Sequence, residues 1–280
     1  MRIINSDEII AAVEKMCIDA NCNLNDDIKN ALIQGEESES SEIAKSVLKD
    51  LLKNAEIAER KQVPICQDTG MAVFFVEIGK DVHVEGLNIN DAINEGVRRG
   101  YTKGYLRKSV VADPLDRVNT NDNTPAVIYC EYNDGDKIKI TFAPKGFGSE
   151  NKSSLKMLNP SDGEEGIIDF VEETVKKAGA NPCPPMVVGV GIGGTMDKCA
   201  QLSKKALTRT IDSENPIPRY REMENKLKDK LNRLNIGPAG FGGKTTVLGV
   251  NIEVYPTHIA GLPVSVNISC HATRHGVCEI

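Results

Sequence analysis

Near residue 60 the spacing of apolar residues changes from helical to strand-like, and that change limits the folds open to the chain. Before it, Asn5 stands three residues ahead of Glu8 as a helix-capping pair, and Ile9, Ile10, Val13, Met16 and Cys17 fall on one helical stripe. A second helix is expected over Asp26 to Gln34, burying Ile28, Ala31 and Leu32. A third runs from Ser40 or Ser41 to about Glu59, with Ile43, Val47, Leu48, Leu51 and Leu52 inward. After it, strands and helices mix. Met71 to Gly79 reads as a buried strand and Asn90 to Gly104 as a short helix. Ala126 to Tyr132 and Lys137 to Phe142 read as a hairpin about Asn133-Asp134-Gly135, with Cys130 packed on one face. Asp162 to Lys177 is an amphipathic helix closed by Gly179. Met186 to Val190 is a strand, Met196 to Thr208 a helix with Met196, Cys199, Ala200 and Ala206 near one stripe, and Pro218 to Leu234 a charged surface helix. Thr245 to Val254 and Pro263 to Ser269 return to strands. The expected fold is α+β: a helical N-terminal segment followed by mixed β-sheets flanked by helices. It forms one domain over 1–280, with a helical cap over 1–60 and a mixed α/β portion over 61–280.

A chain of 280 residues builds a core without disulfide staples. Its net charge of −6 argues against a nucleic-acid partner, whose phosphates require clustered Lys and Arg. The N-terminal segment has acidic residues within its first eight positions and no apolar h-region. No stretch approaches the ~18 uninterrupted apolar residues of a membrane span. These features point to a cytoplasmic protein with no membrane partner, in which eight cysteines serve as thiols or metal ligands rather than bridges.

Three of those cysteines stand apart. Cys66 in PICQDTG, Cys183 in NPCPPM and Cys270 in NISCHATRH lie in turns rich in Pro, Gly and Asn, whereas a structural cysteine is a small buried hydrophobe. Cys17, Cys130 and Cys199 read as packing. Three separated thiols suit an iron–sulfur cluster with one iron left open, a Lewis acid rather than an electron carrier. Gln67 and Asp68 follow Cys66 directly, where such an iron would meet substrate, although QDTG is also a plain turn sequence. A zinc site from Cys270, His271, His275 and Cys278 is the alternative, weakened by the absence of a Cys-x-x-Cys and by Cys278 lying at a mobile end. Gly189, Gly191 and Gly194 match a dinucleotide fingerprint in spacing but lack the βαβ unit, so close approach of backbone to a ligand or cluster is their better use. Gly237 to Thr246 fails as a phosphate loop because Pro238 stands where a glycine is needed.

In PICQDTG, LRKSVV, NTNDNTPA, KGFGSENK, NPCPPMVVGVGIGGT, YPTHIAGLPV and NISCHATRH, spread over about residues 5 to 280, the chain resembles the α-subunit, or N-terminal catalytic domain, of class I iron–sulfur fumarases and L-tartrate dehydratases. The resemblance implies a [4Fe–4S] cluster on three Cys ligands, Cys66, Cys183 and Cys270, with one open iron that binds the hydroxyl and carboxylate of a C4 dicarboxylate. It also implies substrate contacts from Gln67, Asp68, Arg107, His258 and a glycine N–H, Gly148 or else Gly146. This loop reads KGFGSEN where many relatives have KGGGSAN. Asp68 is the expected acid/base and His258 a proton-handling or orienting group. Family members complete the site with Arg, Lys and Thr from a second domain, so a separate β-subunit and an α2β2 assembly are expected. The expected reaction is reversible hydration of fumarate to L-malate, with L-tartrate dehydration as the alternative. A reading of another class is a non-catalytic zinc- or cluster-binding regulatory protein.

Overall fold

Asn5 caps the first long helix as its sequence requires. Its side chain accepts the Asp7 N–H at 2.9 Å, and Glu8 accepts the Asn5 N–H at 3.1 Å. In the computed structural model, which describes residues 1–280, β1 (Arg2–Asn5), α1 (Ser6–Cys22), α2 (Asp26–Ser38) and α3 (Glu42–Lys61) lead into β2 (Met71–Gly79), β3 (Val82–Glu85), α4 (Ile89–Lys103), β4 (Val127–Asn133) and β5 (Ile138–Lys145). Then come α5 (Phe147–Glu150), β6 (Ser154–Leu158), α6 (Gly163–Ala178), β7 (Met186–Gly193), α7 (Met196–Ala206), α8 (Pro218–Asn232), β8 (Val247–Tyr255), β9 (Leu262–Ser269) and β10 (Gly276–Glu279). The class is α+β. No helix is long and apolar enough to cross a membrane.

Two compact units divide the chain, each assembled from segments distant in sequence. Met1–Asn25, Ala55–Phe147 and Arg274–Ile280 form the first, and Asp26–Asn54 with Gly148–Thr273 the second. The helical lead is shared: α1 belongs to the first unit, α2 to the second, and α3 contributes to both. The expected boundary near residue 60 therefore marks a change of local pattern, not a border between units.

In the first unit, strands run in the order β10-β5-β2-β4, and β1 pairs with β3 separately. β2 is antiparallel to β5 and parallel to β4. The expected hairpin is thus corrected: β4 and β5 do not pair, because β2 lies between them. The Asn133-Asp134-Gly135 turn wraps the end of β2, Asn133 and Gly135 accepting the N–H groups of Lys80 and Asp81. β2 takes the centre because it is buried along nearly its whole length. β4, at the sheet edge, leaves Cys130 exposed rather than packed. Phe74 and Phe142 stack in the core with centroids 4.9 Å apart, above α1 and α4. Those helices meet closely through Gly96 and Gly100, where an added Cβ would fall 2.6 Å from Val13 and 2.7 Å from Cys17.

In the second unit the order is β6-β9-β7-β8. Val188, Val190 and Ile192 of β7 join one core with Ile168 and Val171 of α6 and Leu227 and Leu231 of α8. Gly189 and Gly191, on the alternate face, lie against α7. Two inward positions are corrected. Ile43 and Met196 are each 61% exposed, because each lies in the first turn of its helix and burial begins at Ala44 and Cys199.

Candidate active site

Cys66, Gln67 and Asp68 occupy the turn between α3 and β2 in the first unit. The Asp68 N–H points at Cys66 Sγ, 3.4 Å away. Both carboxylate oxygens of Asp68 are engaged: Oδ1 accepts the Gly70 N–H at 3.0 Å and Oδ2 the Phe147 N–H at 2.9 Å. Gly70, at φ +75°, passes so close to β5 that a Cβ would lie 2.7 Å from the Lys145 nitrogen, so only glycine fits. From the far end of the chain the buried guanidinium of Arg274 donates to the Asp68 carbonyl at 2.9 Å and to Asn21 Oδ1 at 3.0 Å. Thr69 donates its hydroxyl to the carbonyl of Arg107 at 3.0 Å. The Tyr101 hydroxyl donates to the carbonyls of Thr69 and Gly70 at 2.7 and 3.1 Å, and burial pushes that phenol well above its ordinary pKa. Gln67 and Arg107 are themselves exposed.

Cys183, Cys270, His258 and Gly148 belong to the second unit. Cys183 follows α6 in a turn closed by its own N–H to the Ala180 carbonyl at 3.1 Å, with φ +55°. The backbone N–H and Nδ1–H of His271 both donate to the Cys183 carbonyl, at 3.3 and 3.0 Å. This stitches the Cys183 turn to the Cys270 turn, which Thr273 closes by donating its N–H and hydroxyl to the Cys270 carbonyl at 3.0 and 2.7 Å. His258 is exposed in the loop after β8, its Nδ1 accepting the Ala260 N–H at 3.2 Å, so in the neutral ring Nε2 carries the proton. A Cβ at Gly148 would meet nothing within 4 Å, whereas one at Gly146 would lie 3.2 Å from Asp68 Oδ2. Next along, Glu150 is held by Lys204 at 2.5 Å and Asn267 at 3.1 Å.

The other cysteines differ in kind. Burial pushes the thiols of Cys17, Cys22 and Cys278 up, and that of Cys199 up to about 12. Cys278 is no mobile end: it lies in β10 opposite Ile140. The glycines of β7 also find another use than the one expected. A Cβ at Gly189 would be 2.1 Å from the Ser203 carbonyl and one at Gly191 2.2 Å from that of Cys199, so they admit α7, not a ligand. The loop resembling a phosphate cradle does hold an anion, the chain's own Glu39. This buried carboxylate accepts N–H groups from Ser40, Ser41, Lys244 and Thr245 at 2.8, 3.3, 2.7 and 3.3 Å. Burial alone would raise its pKa, but the four donors outweigh it and hold the carboxyl below its usual value.

No group of three or more His, Cys, Asp or Glu side chains stands together as a metal-holding set within either unit; Cys66 belongs to the first unit, Cys183 and Cys270 to the second. The donor chemistry of the three turn cysteines fits an iron–sulfur group: all are sulfur donors, none is in a disulfide, and Cys183 is exposed while Cys66 and Cys270 are half-buried. The polar residues that hold the Cys66 turn, Thr69, Tyr101, Asn123 and Arg274, carry no signal of that role in the sequence. Three of them lie within stretches that carry the family resemblance: PICQDTG, NTNDNTPA and NISCHATRH.

Residues 10–279 match the family described as Fumarate hydratase (Fumerase). A Methanocaldococcus jannaschii protein provisionally named L(+)-tartrate dehydratase subunit alpha is 45% identical over 263 residues, covering 92% of this chain and 92% of that protein. The L(+)-tartrate dehydratase subunit alpha of Escherichia coli strain K12 is 36% identical over 255 residues, covering 90% and 84%. An α+β chain with these turns and these relatives is a hydro-lyase. It belongs to the fumarate hydratase family, class I type.

Proposed function

We propose that this chain is the α-subunit of a two-subunit [4Fe–4S] hydro-lyase, cytoplasmic and assembled as α2β2, that reversibly hydrates fumarate to L-malate. The observation that carries the reading is the link, inside the first unit, from the Cys66-Gln67-Asp68 turn to Arg107 through the Thr69 hydroxyl at 3.0 Å. It joins a candidate thiol ligand, a candidate base and a carboxylate-binding cation in one braced element. Cys66, Cys183 and Cys270 would hold the cluster, which when bound supplies a Lewis acid for the substrate hydroxyl.

The chain's own residues do the rest. Arg107 binds a substrate carboxylate through its planar pair of donors. Asp68 takes the proton from the carbon beside a carboxylate as water leaves malate, and returns it in hydration. Its two backbone donors fix the carboxylate's direction while each oxygen keeps a lone pair for the proton. His258 presents Nε2–H to orient a substrate oxygen, and Gln67 and the Gly148 N–H supply further polar contacts.

A second reading, dehydration of L-tartrate to oxaloacetate, is favoured by the names of the relatives. Both reactions remove a hydroxyl and a proton from adjacent carbons as water. Anaerobic reconstitution with iron and sulfide, addition of the native β-subunit, and side-by-side assay of malate (fumarate absorbance at 240 nm) and L-tartrate test the proposal. A non-catalytic protein would turn over neither. No broad visible absorption near 400 nm after reconstitution sinks the cluster assignment.

A further inference from the structure

We infer that Thr69 and Asn123 are positioning residues that set Arg107 against the Cys66-Gln67-Asp68 turn; the inference rests on the hydro-lyase reading above. Arg107 lies in a stretch with neither helix nor strand, yet each residue from Leu106 to Val110 has a backbone anchor. Leu106 N–H donates to the Tyr101 carbonyl at 3.0 Å, and the Arg107 carbonyl accepts the Thr69 hydroxyl at 3.0 Å. The Lys108 carbonyl accepts Asn119 Nδ2 at 2.9 Å, Ser109 N–H donates to Asn123 Oδ1 at 2.7 Å, and the Val110 carbonyl accepts the Thr120 N–H at 2.9 Å. Two of these anchors reach the cysteine turn. Thr69 belongs to it, and Asn123, fully buried, uses its other amide atom to donate to the Gly70 carbonyl at 3.2 Å.

The chemistry of the two residues matches the task. Asn123 sits at φ +62°, a left-handed conformation that asparagine tolerates better than most residues. Its amide is donor and acceptor at once, so one side chain spans both loops. Thr69 is 1% exposed, and its hydroxyl donates to a main-chain atom of Arg107, not to the guanidinium. The backbone from which the guanidinium extends is thereby fixed while Arg107 itself is exposed, open to an incoming carboxylate. Neither residue need touch substrate; both act through Arg107. This gives the NTNDNTPA segment a role as the brace of a cation.

Thr69→Val keeps the volume and β-branching and removes the donor; Asn123→Gly keeps the left-handed backbone and removes the amide; Thr69→Ser restores the hydroxyl. Hydrogen exchange on the full chain should show faster exchange over 105–112 in the Val and Gly variants and wild-type exchange in the Ser variant. In the reconstituted two-subunit enzyme, kcat/KM should fall by up to about 10²-fold in the first two, chiefly through KM. Iron content and visible absorption per chain should not change, and Thr69→Ser should recover KM. Wild-type exchange in both the Val and Gly variants overturns the inference, as does an unchanged KM with kcat falling in step with the folded fraction. If wild-type enzyme turns over neither malate nor tartrate, the functional reading fails, and exchange alone still decides whether these residues order Arg107.

Discussion

Replacing Gly191 by alanine asks whether the glycines of β7 serve a bound group or the packing of a helix. The new Cβ would stand 2.2 Å from the Cys199 carbonyl oxygen, 2.6 Å from the Ser203 nitrogen and 3.0 Å from Leu202 Cβ. Two of these are helix backbone, so no side chain can swing aside. To regain ordinary contact, α7 must retreat from β7 by about 1.2 Å, at the upper end of the roughly 1–3 kcal/mol that overpacking costs. At roughly 2–4 °C per kcal/mol for a chain in this size class, a loss of about 3 kcal/mol lowers Tm by roughly 6–12 °C. Differential scanning fluorimetry of the iron-free chain is the assay, since packing between α7 and β7 does not depend on a cofactor. If the iron-free variant melts like wild type while iron loading collapses, the helix-packing argument is wrong and backbone approach to the cluster is reinstated.

Asp68→Asn should lower turnover by about 10²-fold or more in cluster-replete enzyme if Asp68 is the base; either orientation of the Asn amide also sets its NH2 against a backbone N–H, of Gly70 or of Phe147, so equal iron content per chain must be checked first. Near-wild-type turnover at equal iron content refutes the assignment. Gly148→Ala should leave Tm unchanged, because its Cβ meets nothing within 4 Å, while raising KM as the methyl group enters the space beside the N–H. Glu39→Gln should be destabilising at neutral pH, since one end of the amide confronts N–H donors. Because its carboxyl is held below the usual value, Glu39 contributes stability that is present above about pH 4.5 and is lost as pH falls through the lowered folded value; urea midpoints across pH 3–7 should show that acid loss in wild type and less of it in the Gln variant.

Element types were legible wherever a period ran long enough to average out local exceptions. The Met71–Gly79 strand, the Asn5 capping box and the Gly179 helix stop all form as their residues dictate. Strand pairing was not legible. Two alternating runs about an Asn-Asp-Gly turn look alike whether they pair with each other or with a third strand between them. Short strands such as β1, β3, β6 and β10 carry too few residues for a period to emerge. At the candidate site the turn-borne cysteines could be told from the buried ones by their neighbours. Thr69, Asn123 and Arg274 could not, because a buried polar residue in a loop reads like a solvated one until its partners are known. The glycines of β7 were visible, but spacing cannot say what comes close.

β10 closes the edge of β5 through Val277 and Cys278, and Ile280 exchanges two backbone hydrogen bonds with Ile138 at 2.9 and 3.0 Å. Arg274, just ahead of it, holds the carbonyl of Asp68 across 206 positions of sequence. The Cys66 turn and the sheet behind it are thus completed by residues 274–280, more than a hundred positions beyond the segments they join. Without that pairing β5 offers a row of unpaired backbone N–H and C=O groups to any neighbouring strand. Cleavage after residue 273 should therefore favour aggregation and take the Arg274 guanidinium away from the Asp68 carbonyl.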